Sequence, residues 1–266
     1  MKGLLIYDRE GKNRNEWFIG ELINTAKKYD LELELLVVDR NEPISLETFP
    51  DFALVRVICP HINEYLEKNG VKVFNNYKTS YYANNKWNTY LLAKEIGINV
   101  MNTTLPDNIE DITYPFVVKS LDGHGGSEVF LVNTEKEYDV VKKKIDKDHI
   151  IQEKCSNVGK DVRVYSLDGE IIASILRESK SDFRSNFSLG GSVSVFEATE
   201  EMKKTVKKLY DTLSFCLVGV DFISNNGKWV LNEIEDVVGT RMLYKCTDID
   251  VVKLYVNSIF EKIKSV

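Results

Sequence analysis

Residues 218–236 constrain this chain more than any other stretch. Two apolar runs flank the cluster Asn225, Asn226 and Gly227, which favours a chain reversal, so the segment reads as two antiparallel strands. Strand alternation puts Asp221 on the face of Gly219 and Ile223, and Glu233 and Glu235 on the face of Trp229 and Leu231. With a loop of roughly five residues closing the hairpin, Asp221 lies across from Glu233. Like charges opposed on an apolar-lined sheet repel, and a cation would neutralise them. Hard oxygen ligands on one rigid surface suit magnesium, which takes few carboxylates and completes its shell with phosphate oxygens and water. The same acids also fit a solvated sheet face.

The remainder of the chain narrows the class. Its 266 residues suffice for one large or two small domains, and 43% hydrophobic with 29% charged residues is a globular composition. A net charge of -6 argues against a nucleic-acid binder that draws its affinity from phosphate contacts. The N-terminal apolar run turns polar at Asp8, too early for a signal-peptide core, and no run approaches membrane-spanning length. Cys59, Cys155, Cys216 and Cys246 lack CxxC spacing, which indicates neither a zinc site nor a disulfide framework and places the chain in a reducing cytoplasm.

Residues 1–80 alternate short apolar runs with helical periods, the pattern of βαβ units and a mostly parallel sheet. No GxGxxG follows the first run, so a dinucleotide site lacks its fingerprint. Arg56 stands inside the apolar run 53–57, where a charge is costly unless it is paired or emerges at the strand end as an anion contact. One helix is expected next, capped by Thr79 or Ser80, with Trp87, Tyr90 and Leu91 as its apolar stripe and a solvated Lys86 beside it. A strand then ends in Lys119, and the glycine-rich segment 122–127 joins it to a returning strand. Such a loop serves as phosphate cover or as a plain hairpin turn. Thr134 and Glu137 form a capping box. A hairpin turning at Asp168 and Gly169 follows. Residues 177–191 are too polar for a core strand and read as a loop that either presents donors to an anion or is merely mobile.

Together these pieces resemble the RimK-like branch of the ATP-grasp ligases. The resemblance is carried by Val117, Val118 and Lys119 with the glycines 123–126, by Gln152 and Glu153, and by Gly159 through Arg163. Residues 182–186 with Gly190 and Gly191, and Val220 and Asp221 with Glu233, complete it. The fold it implies is a mixed α/β and α+β one: an N-terminal βα domain over 1–80, a small subdomain with a glycine-rich lid over 81–153, and a C-terminal subdomain over 154–266, the last two clasping ATP. It implies that Lys119 and Lys86 hold phosphates and that Gly125, Gly126 and Ser127 cover them. Gln152, Glu153, Lys154 and Cys155 would read adenine, and Asp161 would face the ribose. Arg184, Ser185 and Asn186 would hold the γ-phosphate, with Arg163 helping at an acyl phosphate. Asp221, Glu233 and Glu235 would bind two Mg2+ ions, for which Mn2+ can substitute. Arg56, Gly190 and Gly191 would line the substrate site. Where the family has asparagine, this chain has Glu235, and the following Pro-Gly is replaced by residues 237–239.

The reaction implied joins a carboxylate to an amine through an acyl phosphate, releasing ADP and phosphate. The substrates implied are small molecules or peptides, with no nucleic acid or membrane partner and homo-oligomerisation left open. Two other readings compete: an ATP-binding relative without turnover, to which the altered metal motif points, and an unrelated α/β enzyme or interaction module.

Overall fold

The computed structural model describes residues 1–123, 128–179 and 191–264. Three sheets carry the architecture. The first is built from β1 (Lys2–Asp8), β2 (Glu32–Val38), β3 (Phe52–Val55) and β4 (Lys72–Phe74) in the order β2-β1-β3-β4, all parallel. The apolar interiors of β1 and β3 fit this, because helices cover a parallel sheet on both faces, while the edge strand β2 keeps Glu32 and Glu34 exposed. Those helices are α1 (Arg9–Arg14), α2 (Glu16–Lys27) and α3 (Pro60–Lys68). Where the first apolar run turns polar, α1 forms because Asp8 caps it, accepting a hydrogen bond from the Gly11 N–H at 2.6 Å.

The single helix expected around residue 80 is two, α4 (Tyr77–Ala83) and α5 (Lys86–Glu95), because Asn76 and Asn85 each cap a new start. Thr79 and Ser80 therefore lie buried inside α4. The buried stripe of α5 is Lys86, Thr89, Leu92 and Ala93, and the stripe expected at Trp87, Tyr90 and Leu91 faces outward, with Leu91 47% exposed.

The second sheet is antiparallel, in the order β5-β8-β6-β7, from β5 (Thr103–Thr104), β6 (Phe116–Ser120), β7 (Val129–Val132) and β8 (His149–Glu153). Helix α6 (Glu135–Ile145) starts at the Thr134 cap and lays Tyr138 and Ile145 on Phe116, Val118, Val132 and Ile151.

The third sheet runs β11-β10-β9-β12-β13, antiparallel throughout. Its strands are β9 (Lys160–Leu167), β10 (Glu170–Glu178), β11 (Ser192–Val195), β12 (Leu217–Asn225) and β13 (Lys228–Glu235). Helix α7 (Glu200–Leu213) covers one face, packing Met202, Val206, Leu209 and Leu213 against Val162, Val164, Val220 and Phe222. On the other side, Tyr165, Leu167 and Ile175 share a single core with Leu5, Tyr7 and Leu22 of the first module, closed off by Val252, Tyr255 and Ile259 of α9 (Val251–Lys264). The short α8 (Arg241–Cys246) borders this core with Met242 and Leu243. Among the described residues no helix is long and apolar enough to cross a membrane, and the four cysteines are free.

Because the first and third sheets share one core, a cavity in α2 should destabilise both together. Leu22 is fully buried there. Leu22→Ala is expected to cost about 2–5 kcal/mol in urea unfolding. Probes placed in the N-terminal sheet and in α9 should report one shared transition; two separated transitions would contradict the shared core.

Candidate active site

The site is built on the face of the third sheet that α7 does not cover. Its acids reach that face through a local irregularity. The hairpin closes with a two-residue turn in which Asn226 and Gly227 both take positive φ, 49° and 77°. Phe222 then pairs with Leu231 but Asp221 pairs with Glu233, so Asn232 is an extra residue in β13. The bulge does two things. It restores the Asp221–Glu233 pairing that a longer loop would have produced. It also flips the phase, so that Leu231 shares the buried face with Phe222 while Glu233 and Glu235 share Asp221's face, against the alternation expected from sequence.

Neighbouring strands supply the counter-charges in register. Arg163 pairs with Asp221 across β9 and β12, and Arg177 with Asp161 across β10 and β9. Arg163 donates from Nε to Asp221 Oδ1 and from Nη2 to Oδ2, both at 2.7 Å, and Nη2 also reaches Glu235 Oε1 at 2.6 Å. Arg177 donates a fork to Asp161 at 2.5 and 2.6 Å and a further hydrogen bond to Asp221 Oδ2 at 2.6 Å. Burial alone would raise the Asp221 pKa, but the two guanidiniums outweigh it and hold the carboxyl at about 2. At Glu235 the balance reverses: burial, reinforced by Asp221 and Glu233 against Arg163, pushes the carboxyl up to about 7. Gly219 lets Val238 pack closely against this face, since a Cβ there would stand 2.7 Å from a Val238 methyl.

Two lysines approach from the other segment. Lys119, at the end of β6, is buried and donates to Gln152 Oε1 at 2.7 Å and to the bulge residue Asn232 Oδ1 at 2.8 Å. Burial brings its pKa down to about 8, with Glu233 opposing and Lys86 adding to the fall. Lys86 is buried rather than solvated because its ammonium finds the Gly123 carbonyl at 2.5 Å and Glu233 at 3.6 Å. Gln152 is fixed by donating to Thr103 Oγ1 at 3.0 Å. Beyond it Glu153 and Lys154 are exposed and Cys155 is half-buried in the segment that follows β8.

The structure thus brings Lys86, Lys119, Gln152, Arg163, Asp221, Glu233 and Glu235 together. Asp161 is also present, each of its oxygens accepting one hydrogen bond from Arg177. Gly191 lies just before β11. Gly125, Gly126, Ser127, Arg184, Ser185, Asn186 and Gly190 lie outside the described residues. Two site residues were missed from sequence. Arg177 was read as part of a polar loop, yet β10 runs through Glu178; its two-residue spacing from Ala173 and Ile175 was the available signal. Asn232 carried no signal, because its position depends on the bulge.

The donor set fits a magnesium ion. Oxygens of Asp221, Glu233 and Glu235 lie within 4.8 Å of one another. Asp221 Oδ1 accepts one hydrogen bond and keeps a lone pair. Among the described residues Glu233 has one ion-pair partner, the ammonium of Lys86 at 3.6 Å. One or two carboxylates suffice where phosphates provide the remaining ligands. Glu235 accepts one hydrogen bond from Arg163, at Oε1, against three guanidinium bonds at Asp221.

Beside this face lies a cavity of about 300 Å3 between the first and third sheets. Arg163 and Glu235 form its inner end, and Arg14, Arg40, Arg56 and Arg241 contribute to its walls. Arg56 emerges just past the end of β3, where β1 and β3 present their carboxyl ends. It is 6% exposed, donates from Nη2 to the Val238 carbonyl at 2.8 Å, and leaves Nε without a hydrogen-bond partner.

The chain superposes on the D-alanine–D-alanine ligase of Bacillus anthracis complexed with ATP, with a TM-score of 0.77 over 100% of this chain and 98% of that one at 18% identity. The fold is therefore ATP-grasp. Residues 83–259 match the RimK-like ATP-grasp domain, and the chain belongs to that family, one of ATP-dependent ligases. It is 29% identical to the uncharacterized protein MG011 of Mycoplasma genitalium, across 99% of this chain and 94% of that protein. It is 30% identical to human N-acetylaspartylglutamate synthase A over 78% of this chain, which amounts to 59% of the synthase.

The carboxylates should separate by stability. Asp221→Asn leaves two buried guanidiniums short of a counter-ion and is expected to cost about 3–5 kcal/mol. Glu233→Gln, at a half-exposed position with a long ion pair, is expected to cost about 0–1 kcal/mol. Urea titration measures both; equal losses would contradict the network.

Proposed function

We propose that this protein is an ATP- and Mg2+-dependent carboxylate–amine ligase that forms an amide through an acyl phosphate and releases ADP and phosphate. One observation carries the reading: Lys119 is hydrogen-bonded to Asn232, the residue next to Glu233. A phosphate-binding cation and a metal-binding carboxylate thereby meet on the charged face beside the arginine-lined cavity. Lys119 and Lys86 hold phosphates, and Gln152 through Cys155 border the adenine. Asp221 and Glu233 hold the metal, which supplies charge neutralisation between phosphate oxygens when bound. Arg163 steadies the acyl phosphate, and Arg56 binds a substrate carboxylate from the cavity wall. The reaction shifts negative charge among oxygens, so positioning and fixed cations suffice and no side-chain nucleophile is required. Residues 1–80 serve as the substrate wall, 81–153 as the nucleotide segment with its lid, and 154–266 as the metal segment. The setting is the reducing cytoplasm.

A nucleotide-binding protein without turnover is the second reading, favoured by the Arg163–Glu235 contact at 2.6 Å within the metal set. ADP release across a panel of carboxylate–amine pairs separates the two. Lys119→Ala and Glu233→Ala should each lower the stimulated rate on the order of a hundredfold or more. If no pair raises ADP release above those variants, the ligase reading fails.

The pH dependence of nucleotide binding offers an independent check. Only the protonated Lys119 pairs with phosphate, and its pKa in the free protein is down at about 8. Nucleotide affinity should therefore fall as pH rises through that value, measured by calorimetry. Lys119→Arg, charged throughout, should flatten the profile; a wild-type profile that is already flat would contradict the assignment.

A further inference from the structure

The Arg56 guanidinium is held by the protein at one nitrogen only. Its Nη2 donates to the Val238 carbonyl at 2.8 Å, while Nε is buried and completes no hydrogen bond. The Val238 contact sets the guanidinium two residues along the chain from Asp236, which is buried as well, 3% exposed. The Asp236 carbonyl accepts from Asn75 Nδ2 at 3.2 Å, which ties this segment to the end of β4. Its side-chain Oδ1, like the Arg56 Nε, has no partner. Among the described residues no direct ion pair joins Arg56 to Asp236.

Two hydroxyls share this seam between the first and third sheets. Tyr7 Oη on β1 and Ser80 Oγ on α4 are also buried without a partner. Burial lowers the Arg56 pKa, and Tyr7, Tyr255 and Asp236 more than offset it. Burial raises the pKa of Asp236, and Asn84, Ser80 and Arg56 oppose that rise. Tyr7 and Ser80 are therefore neighbours of the pair. Four polar atoms out of water and unpaired are costly, and buried polar groups in folded proteins are satisfied by protein or by internal water. This set holds a donor at Nε, an acceptor at Oδ1 and two hydroxyls that serve as either. A bound cation would be repelled by Arg56 and an anion by Asp236, whereas a water molecule takes about two to four partners of just these kinds.

We infer that a buried water molecule bridges Arg56 Nε to Asp236 Oδ1, with the Tyr7 and Ser80 hydroxyls as its other partners, and that through it Asp236 is the positioning residue for Arg56. The bridge at Nε and the Val238 carbonyl at Nη2 are two fixed points, and together they set the plane of the guanidinium. Nη1 is left for the cavity, whose wall Arg56 helps to form. The inference rests on the ligase reading, in which Arg56 binds a substrate carboxylate.

Three measurements on the whole protein test it. A high-resolution crystal structure should show an ordered water within hydrogen-bond distance of Arg56 Nε and Asp236 Oδ1; a dry gap between them overturns the bridge. In urea, Asp236→Ala should raise the unfolding constant, and the same change with Arg56→Met already present should raise it about tenfold less. Equal increases in the two backgrounds overturn the inference, because Asp236 would then act without Arg56. Where Asp236→Ala alone fails to fold, Arg56→Met is expected to restore folding by removing the guanidinium left unpaired; no restoration is equally contrary. In ADP release stimulated by a carboxylate–amine pair, Asp236→Ala should raise the KM of the carboxylate on the order of tenfold and leave kcat within about threefold. It should add nothing further to Arg56→Met. An unchanged KM in otherwise wild-type protein overturns the positioning role. If no carboxylate stimulates ADP release, the ligase reading fails, and the crystal structure and the unfolding cycle still decide the bridge by themselves.

Discussion

Asp221, gripped from two sides, is the contact on which the site depends. Arg163 and Arg177 reach its carboxylate from neighbouring strands, and each guanidinium also holds a second acid, Glu235 or Asp161. Bringing such charges out of water costs several kcal/mol per ion, recovered only where geometry and hydrogen bonding are close to complete. Here the forks are bidentate and lie on adjacent rungs of one sheet, so the antiparallel register itself supplies the geometry. The cluster is rigid because the sheet beneath it is rigid. Its opposite face is fixed by α7 and its far end by the core shared with the N-terminal module.

The bulge at Asn232 turns that scaffold into a site. Without the extra residue, Glu233 and Glu235 would point with Leu231 into the packing beneath α7, where a carboxylate has no partner. With it, the acids turn to the charged face and Asn232 itself meets Lys119 from the second sheet. A single inserted residue thus aligns a carboxylate-bearing edge on one sheet with a buried lysine on another.

Much of this was legible in the sequence. The parallel N-terminal sheet and the hairpins turning at Asp168–Gly169 and Asn226–Gly227 follow from apolar runs, turn residues and strand period. The Asp221–Glu233 pairing was expected from a loop of roughly five residues, and the protein makes it instead with a two-residue turn and a bulge. The ATP-grasp family followed from short motifs in a workable order. What was not legible depended on contacts distant in the chain. Lys86 reads as solvated until Gly123 and Glu233 are brought to it. Arg177 reads as loop because its partners, Asp161 and Asp221, lie 16 and 44 residues away and become neighbours only across strands. The phase of β13 could not be read because a bulge leaves no compositional mark. The cap residues Asn76 and Asn85 were visible in principle, and a nearby Thr and Ser obscured them.

The account's central claim is that the charged face activates a carboxylate by phosphorylation. The most direct measurement supplies the carboxylate substrate labelled with 18O in both oxygens and analyses the released phosphate by mass spectrometry. Attack of a carboxylate oxygen on the γ-phosphorus, followed by displacement at the acyl carbon by the amine, leaves that oxygen in the phosphate. One labelled oxygen per amide formed is the predicted result. Phosphate that carries no label while amide accumulates would contradict the account.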